Sequence, residues 1–266
     1  MICKLDVKIS QRQGKSYLKD AFVTQPFRIV PVGQYRRDDA EYLMMMSSSP
    51  GLLDGDDHRI NVEVEDHGRL QLQTQAYQRL FQMNEGSHQH LKVHLGKNSC
   101  FSYVPHPIVP QQSASYYSKN EIFMQEDCFF VLGEIITCGR KLSGEEFKYN
   151  HFQNLVQVYF HNKLILKDNV MLKPESMPLY EMGLMEGYTH QGTFLCMNTK
   201  GIDLKDRLEQ FYEEFHETPG IEFGISELEH PGFMVRILGM GGEQLFNLFK
   251  KMEALLWDNY VLKTES

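Results

Sequence analysis

Residues 54–57 read Asp-Gly-Asp-Asp and close the stretch SSSPGLLDGDD. Carboxylate oxygens suit hard cations, so three aspartates around one glycine raise the question of a metal loop. An EF-hand loop supplies ligands at alternate positions along its length, and no such series follows Asp54. Pro50-Gly51 and the aspartates suit a tight turn, in which Asp caps free N–H groups, and on these residues alone the turn is favoured. A second set is HQHLKVH, where His88, His90, Lys92 and His94 share one parity. Alternate imidazoles on a strand can ligate zinc, copper or nickel. Lys92 in their midst repels a cation, and the solvated side of a half-buried strand explains the same pattern. A third is GEIITCGRKLSGEEF, residues 133–147, where the Arg140 guanidinium matches the carboxylate of Glu134 or Glu145. A structural ion pair is one reading, and a polar wall for a passing ion or a partner contact is the other. LGMGGEQ opens a helix and lacks the ending of a phosphate-binding P-loop. G-x-S-x-G and H-E-x-x-H are missing, so nothing points strongly to an enzyme.

The elements that must position these groups are mostly strands. In HRINVEVE, Ile60, Val62 and Val64 alternate with Arg59, Asn61 and Glu63, which sorts apolar and polar side chains onto opposite faces. RLQLQT and LKVHL continue the period of two. NVEVEDHGRLQLQT, LKVHLGKNSCFSYV and EIFMQEDCFFVLGE each read strand, short turn, strand, and Val62, Lys92 and Ile122 open them 30 residues apart. A loose repeat of that length predicts stacked hairpins or a solenoid-like β body, each unit covering its neighbour's apolar face. NLVQVYFHNKLILKD adds a hairpin with His161-Asn162-Lys163 as its turn. The last third changes character. GTFLCMN, IEFGIS and FMVRIL read as strands. Leu204, Leu208, Phe211 and Phe215 form one helical stripe, ended by Pro219-Gly220. Leu245, Leu248, Phe249, Met252, Leu255 and Leu256 form another. The expected fold is therefore mainly β, with two α-helices in the C-terminal third. No low-complexity linker divides the chain, so one unit over 1–266 is expected. Its β body covers about 1–190, and an α/β part, about 191–266, packs on it.

The 266 residues are 42% hydrophobic, enough for a large core. The formal charge of −8 argues against a general nucleic-acid or anionic-membrane binder, since both need a basic face. Five scattered cysteines form no C-x-x-C pair, and reduced, buried thiols fit the cytoplasm. MICKLDVKIS lacks the apolar run of a signal peptide, and no stretch approaches the ~20 apolar residues of a membrane span.

Six segments in order carry a family resemblance: SPGLLDGD (49–56), PHPIVPQQSASY (105–116), GEIITCGRKLSGEEF (133–147), LILKDNVMLKP (164–174), MEGYTHQGTFLCMN (185–198) and FMVRILGMGGEQLFNLFKKMEALLW (233–257). Together they resemble the urease accessory protein UreD family, called UreH in some bacteria. The sequence departs from the pattern at Asp54, where glycine, or another residue in some members, is expected. The resemblance implies a non-catalytic scaffold of urease maturation. Its partners would be the urease apoprotein, a UreF-type accessory protein and, through UreF, a UreG-type GTPase, which fits the missing P-loop. It implies no tightly bound cofactor, only transient nickel on an internal polar passage. Asp56, Glu134 and Asp168 match acidic positions of the family motifs and are the candidate ligands. A transit site needs weak ligands, and oxygen donors suit that better than thiolates or imidazoles.

Two other readings compete. A metal-dependent hydrolase on a β scaffold would bring the carboxylates of 54–57 and the histidines of 88–94 together at a concave pocket. A metal-independent β interaction module would tolerate loss of charge at Asp56, Glu134 and Asp168.

Overall fold

The computed structural model describes residues 1–33, 36 and 38–261, except for the Tyr260 side chain. The expected unit of 1–266 thus includes residues 34, 35, 37 and 262–266, which lie outside the described residues. In chain order the strands are β1 (Ile2–Arg12), β2 (Lys15–Val23), β3 (Phe27–Pro31), β4 (Glu41–Ser47), β5 (Asp57–Val64), β6 (Arg69–Thr74), β7 (Gln78–Leu80), β8 (Ser87–Leu95) and β9 (Cys100–Tyr103). They continue with β10 (Ile108–Pro110), β11 (Ser115–Met124), β12 (Phe129–Thr137), β13 (His151–Phe160), β14 (Lys163–Leu172), β15 (His190–Asn198), β16 (Ile221–Glu227) and β17 (Gly232–Gly239). Helix α1 (Lys205–Glu217) precedes β16, and α2 (Gly242–Leu256) follows β17.

The strands form two sheets. Sheet A has the order β14-β13-β11-β8-β5-β1-β2, and sheet B runs β16-β17-β15-β12-β9-β6-β4-β3, with β7 and β10 attached. Successive strands of the repeat fall in opposite sheets. β5, β8, β11 and β13 stack in parallel in sheet A. β4, β6, β9 and β12 do so in sheet B. The solenoid-like expectation holds, and the hairpin version of it does not. β5 and β6 never pair with each other, because each takes its ladder partner from the neighbouring coil and presents its apolar face across the gap.

The register also corrects the repeat. Val93, not Lys92, lies beside Val62 and Ile122. Lys92 has the other parity and lies between Asn61 and Glu121 on the outer face. Val7, Val62, Val93, Ile122 and Val158 thus form one inward row, each buried. Such rows face Leu72, Phe101, Phe130 and Leu132 of sheet B in the main core.

β13 and β14 form the expected hairpin. His161 (φ 49°) and Asn162 (φ 62°) both adopt the left-handed conformation that a two-residue type I′ turn requires, and Lys163 already belongs to β14. β15 and β17 extend sheet B beyond β12, and α2 lies on its outer face. Phe249 of α2 packs so closely that a methyl group on Gly192 would come within 2.7 Å of its ring. Trp257, just past α2, donates its indole N–H to the Tyr42 hydroxyl at 3.0 Å. Phe211 and Phe215 of α1 are buried, with Phe215 edge-on to Phe223 of β16. All five cysteines are free and buried.

The parity of β8 can be tested directly. Val93→Ala removes two methyl groups from a fully buried site and should cost about 2 kcal/mol in urea unfolding. Lys92→Ala, one residue away on the outer face, should change stability by less than about 0.5 kcal/mol. Equal losses would refute the register.

Candidate functional site

Parallel stacking sets like positions side by side, so a polar residue in an inward position gains inward polar neighbours. One row of sheet A runs Cys3, His58, Gln89, Ser118, Asn154. The next runs Leu5, Ile60, Leu91, Asn120, Val156, Asp168. Polar side chains therefore line the gap between the sheets from β5 to β14, above a purely apolar layer.

Glu134 of β12 is the centre of this line. It faces sheet A, where Asn120 and Asn154 donate side-chain N–H groups to its two carboxylate oxygens, Asn120 at 3.2 Å. Asn120 also donates to Asn154 Oδ1 at 2.7 Å, which locks the trio across the sheets. Protein surrounds Glu134, and the surface it keeps faces two small cavities. One offers about 20 Å³ to the centre of a water molecule and is lined by Asn154, Gln191 and Thr193. The other offers about 10 Å³ and is lined by Asp168, Thr193 and Met234. A buried water needs roughly 10–15 Å³, so the first has room for one and the second lies at the threshold. Burial pushes the Glu134 carboxyl up to about 7, helped by the negative charge of Asp168 and opposed by the two asparagines.

Asp168 of β14 shares the smaller cavity and is tied to Arg236 of β17, whose guanidinium donates to its Oδ1. This ion pair bridges the two sheets at that end. Asp56 lies at the other end, just before β5. Its Oδ2 accepts the Leu53 N–H at 2.9 Å, and its Oδ1 is 3.5 Å from the N-terminal ammonium. Asp54 accepts N–H groups from Glu85 and Gly86, and the left-handed turn position falls on Gly55 (φ 74°). The aspartates of 54–56 therefore serve the turn. Glu134 and Asp168 come together at one cavity, and Asp56 stands apart from them.

Arg140 pairs with Glu145 through both oxygens, not with Glu134, and holds Glu145 below the usual carboxylate range. His88, His90 and His94 project outward from sheet A. There they stack in aromatic ladders with Tyr117 and Phe123, and the Lys92 ammonium sits 5.3 Å from the Phe123 ring centre. Burial and the Lys92 charge lower the pKa of His94. Among the described residues no group of three or more His, Cys, Asp or Glu side chains is arranged to hold an ion. The convergence that a metal-dependent hydrolase requires is therefore not found there.

His58, Gln89, Asn120 and Asn154 belong to no motif that marks a site in the sequence. Each shares the parity of apolar neighbours: His58 with Ile60 and Val62, Gln89 with Leu91, Asn120 with Ile122, Asn154 with Val156. A polar residue on the apolar parity of a strand is the signal that finds them. Two atoms along this part of the fold, His58 Nε2 and Ser87 Oγ, are buried without a hydrogen-bond partner. Unpaired buried polar atoms are costly, and of these two residues His58 also lines a pocket.

The chain is thus a β solenoid with helices on one face and a polar seam between its two sheets. The model of the family described as UreD urease accessory protein matches residues 3–265. The chain is 46% identical to the urease accessory protein UreD of Flavobacterium johnsoniae over 97% of this chain and 93% of that one. It is 34% identical to the UreD of Actinobacillus pleuropneumoniae serotype 3, covering 92% and 93%. The UreD of Acetivibrio thermocellus is 31% identical, covering 96% and 97%. The chain belongs to the UreD urease accessory protein family, and its role is an accessory one in urease maturation.

The environment of Glu134 has a thermodynamic signature. Its folded pKa of about 7 lies above the ordinary value of 4.5, so the folded chain binds more protons between these limits and loses stability as pH rises through them. Glu134→Gln removes that loss. Relative to the native chain, the variant should gain on the order of 2 kcal/mol between about pH 4.5 and pH 8, read by urea unfolding at several pH values. A pH-independent difference would contradict the buried carboxyl.

Proposed function

We propose that this chain is a non-catalytic scaffold that binds the urease apoprotein and a UreF-type protein, with a UreG-type GTPase joining through UreF. It supports delivery of nickel to the urease active site along the polar seam between its sheets. The observation that carries this reading is Glu134, an acidic side chain clasped by Asn120 and Asn154 between two sheets and bordered by cavities. A single carboxylate with amide neighbours gives an ion a weak, oxygen-rich stop that it can leave. With a pKa near 7, the group exchanges a proton for a cation at little cost. Asp168 offers a second stop when Arg236 moves aside. Nickel is cargo in this reading, and no resident cofactor is proposed.

Partner docking has support on the surface. Leu142 is fully exposed, and Met182 and Tyr180 are 90% and 56% exposed, on two loops joined through Glu146. Exposed apolar side chains of this size suit a protein contact. The buried free thiols suit a reducing compartment, in keeping with the cytoplasm. No helix among the described residues is long and apolar enough to cross a membrane.

Co-expression with UreF- and UreG-type proteins from the same organism tests the scaffold, and Glu134→Ala tests the route. The wild-type chain should co-elute with both partners from a sizing column. Glu134→Ala should co-elute as well, yet leave urease with several-fold less nickel when nickel is limiting. A monomer that ignores both partners would contradict the scaffold, and equal loading by Glu134→Ala would remove Glu134 from the route.

A further inference from the structure

The polar seam opens to the surface at one place where nothing so far assigns a role. A pocket of about 230 Å³ lies between the β4–β5 turn and the β6–β7 connection. Its rim carries exposed Ser47, Pro50, Gln75 and Arg79, and its wall includes Met45, Met46, Thr74, Gln78 and Gln89. His58 also lines it. That side chain is only 3% exposed, on the inward face of β5, and its Nε2 has no hydrogen-bond partner. Gln78 donates to Gln89 Oε1 at 3.0 Å, and Gln89 lies beside Ser118 in the ladder that leads to Asn154 and Glu134. The pocket thus adjoins the head of the polar row.

We propose that this pocket is the entry site of the seam and that His58 is the first ligand met by an incoming borderline divalent cation. The inference rests on the transit reading above and adds to it the place of uptake and the basis of selectivity. The donor chemistry supports it. A neutral imidazole suits nickel, zinc or copper, the thioethers of Met45 and Met46 add only soft donors, and Mg²⁺ and Ca²⁺ prefer carboxylate and water oxygen. The lining holds no Asp or Glu. Asp56 and Asp57 lie close enough for their negative charges to act on the His58 ring, an attraction for cations that the N-terminal ammonium and Arg59 partly offset, and neither aspartate lines the pocket. Arg79 on the rim opposes this attraction and keeps residence short. One strong ligand with soft, weak neighbours captures an ion and releases it to the next stop.

A packing role is the alternative, since His58 meets the Phe27 ring edge-on, with ring centres 4.7 Å apart. His58→Phe separates the two, because it keeps an aromatic ring beside Phe27 and removes the nitrogen. In the complex with the UreF-type partner, His58→Phe should reduce nickel loading of urease on the order of tenfold at limiting nickel, the scale of a perturbed metal ligand. Excess nickel should restore loading. If His58→Phe loads normally while Glu134→Gln is deficient, the entry site is refuted and the seam survives. If both load normally, the seam falls with it. A direct measurement on the native chain does not depend on the variant folding. With ¹⁵N-labelled histidine rings, substoichiometric Ni²⁺ should broaden the His58 signal before those of His88, His90 and His94, and Mg²⁺ should leave it unchanged. Broadening of the outer-face histidines first would overturn the proposal.

Discussion

The parallel register between successive coils is the constraint on which the rest of the molecule depends. Because β5, β8, β11 and β13 stack without offset, each inward position repeats across the sheet. Where the repeated residue is valine or isoleucine, the result is the dry row from Val7 to Val158. Where it is histidine, glutamine, serine or asparagine, the same geometry builds a polar row through the middle of the fold. Neither row is specified by any single strand. A slip of one residue would turn both to the outer face, which is why such registers are strongly held where one face is buried.

The polar row gives Glu134 its properties. A carboxyl between two sheets loses its water, and two asparagine amides replace only part of what it loses. The fold contains a contrasting case. Glu253 of α2 is more fully enclosed, at 1% exposure, but Lys250 and Ser102 bond to it directly. Glu253 has its own cation and holds α2 to sheet B. Glu134 has no paired cation, shares a cavity with a second acid, and faces space rather than packed atoms. That difference separates a charge paired within the fold from one that the proposed function uses as a stop for a visiting ion. The ion pair of Asp168 with Arg236 closes the far end of the row, as the His58 pocket opens the near end.

Much of this was legible in the sequence. Alternation in HRINVEVE and LKVHL placed strands and their faces, His161-Asn162 marked its hairpin, and the two apolar stripes marked α1 and α2. The spacing of the β segments disclosed a repeating body. It did not disclose whether adjacent strands pair with each other, because hairpin and solenoid give the same alternation and differ only in long-range ladders. The same limit hid the site. Glu134 meets Asn120 and Asn154 only after the chain crosses from one sheet to the other, so no local pattern joins them. Asp56 and Asp168 stood out as acids in familiar segments, yet one is held by the turn and the other by Arg236. The quieter signal was His58, a polar residue on the apolar parity of its strand.

On the proposed route ions travel between the sheets, and plugging that space should stop them. Ser118 faces inward on β11 at 6% exposure, and its neighbour Lys119 has the opposite parity. Leucine at either position adds apolar bulk, inside the seam in one case and outside it in the other. The measurement is the nickel content of urease matured with each variant, taken from complexes that co-elute intact. Ser118→Leu should yield nickel-poor urease, and Lys119→Leu should yield normal urease. Normal nickel content with an intact Ser118→Leu complex would contradict that route.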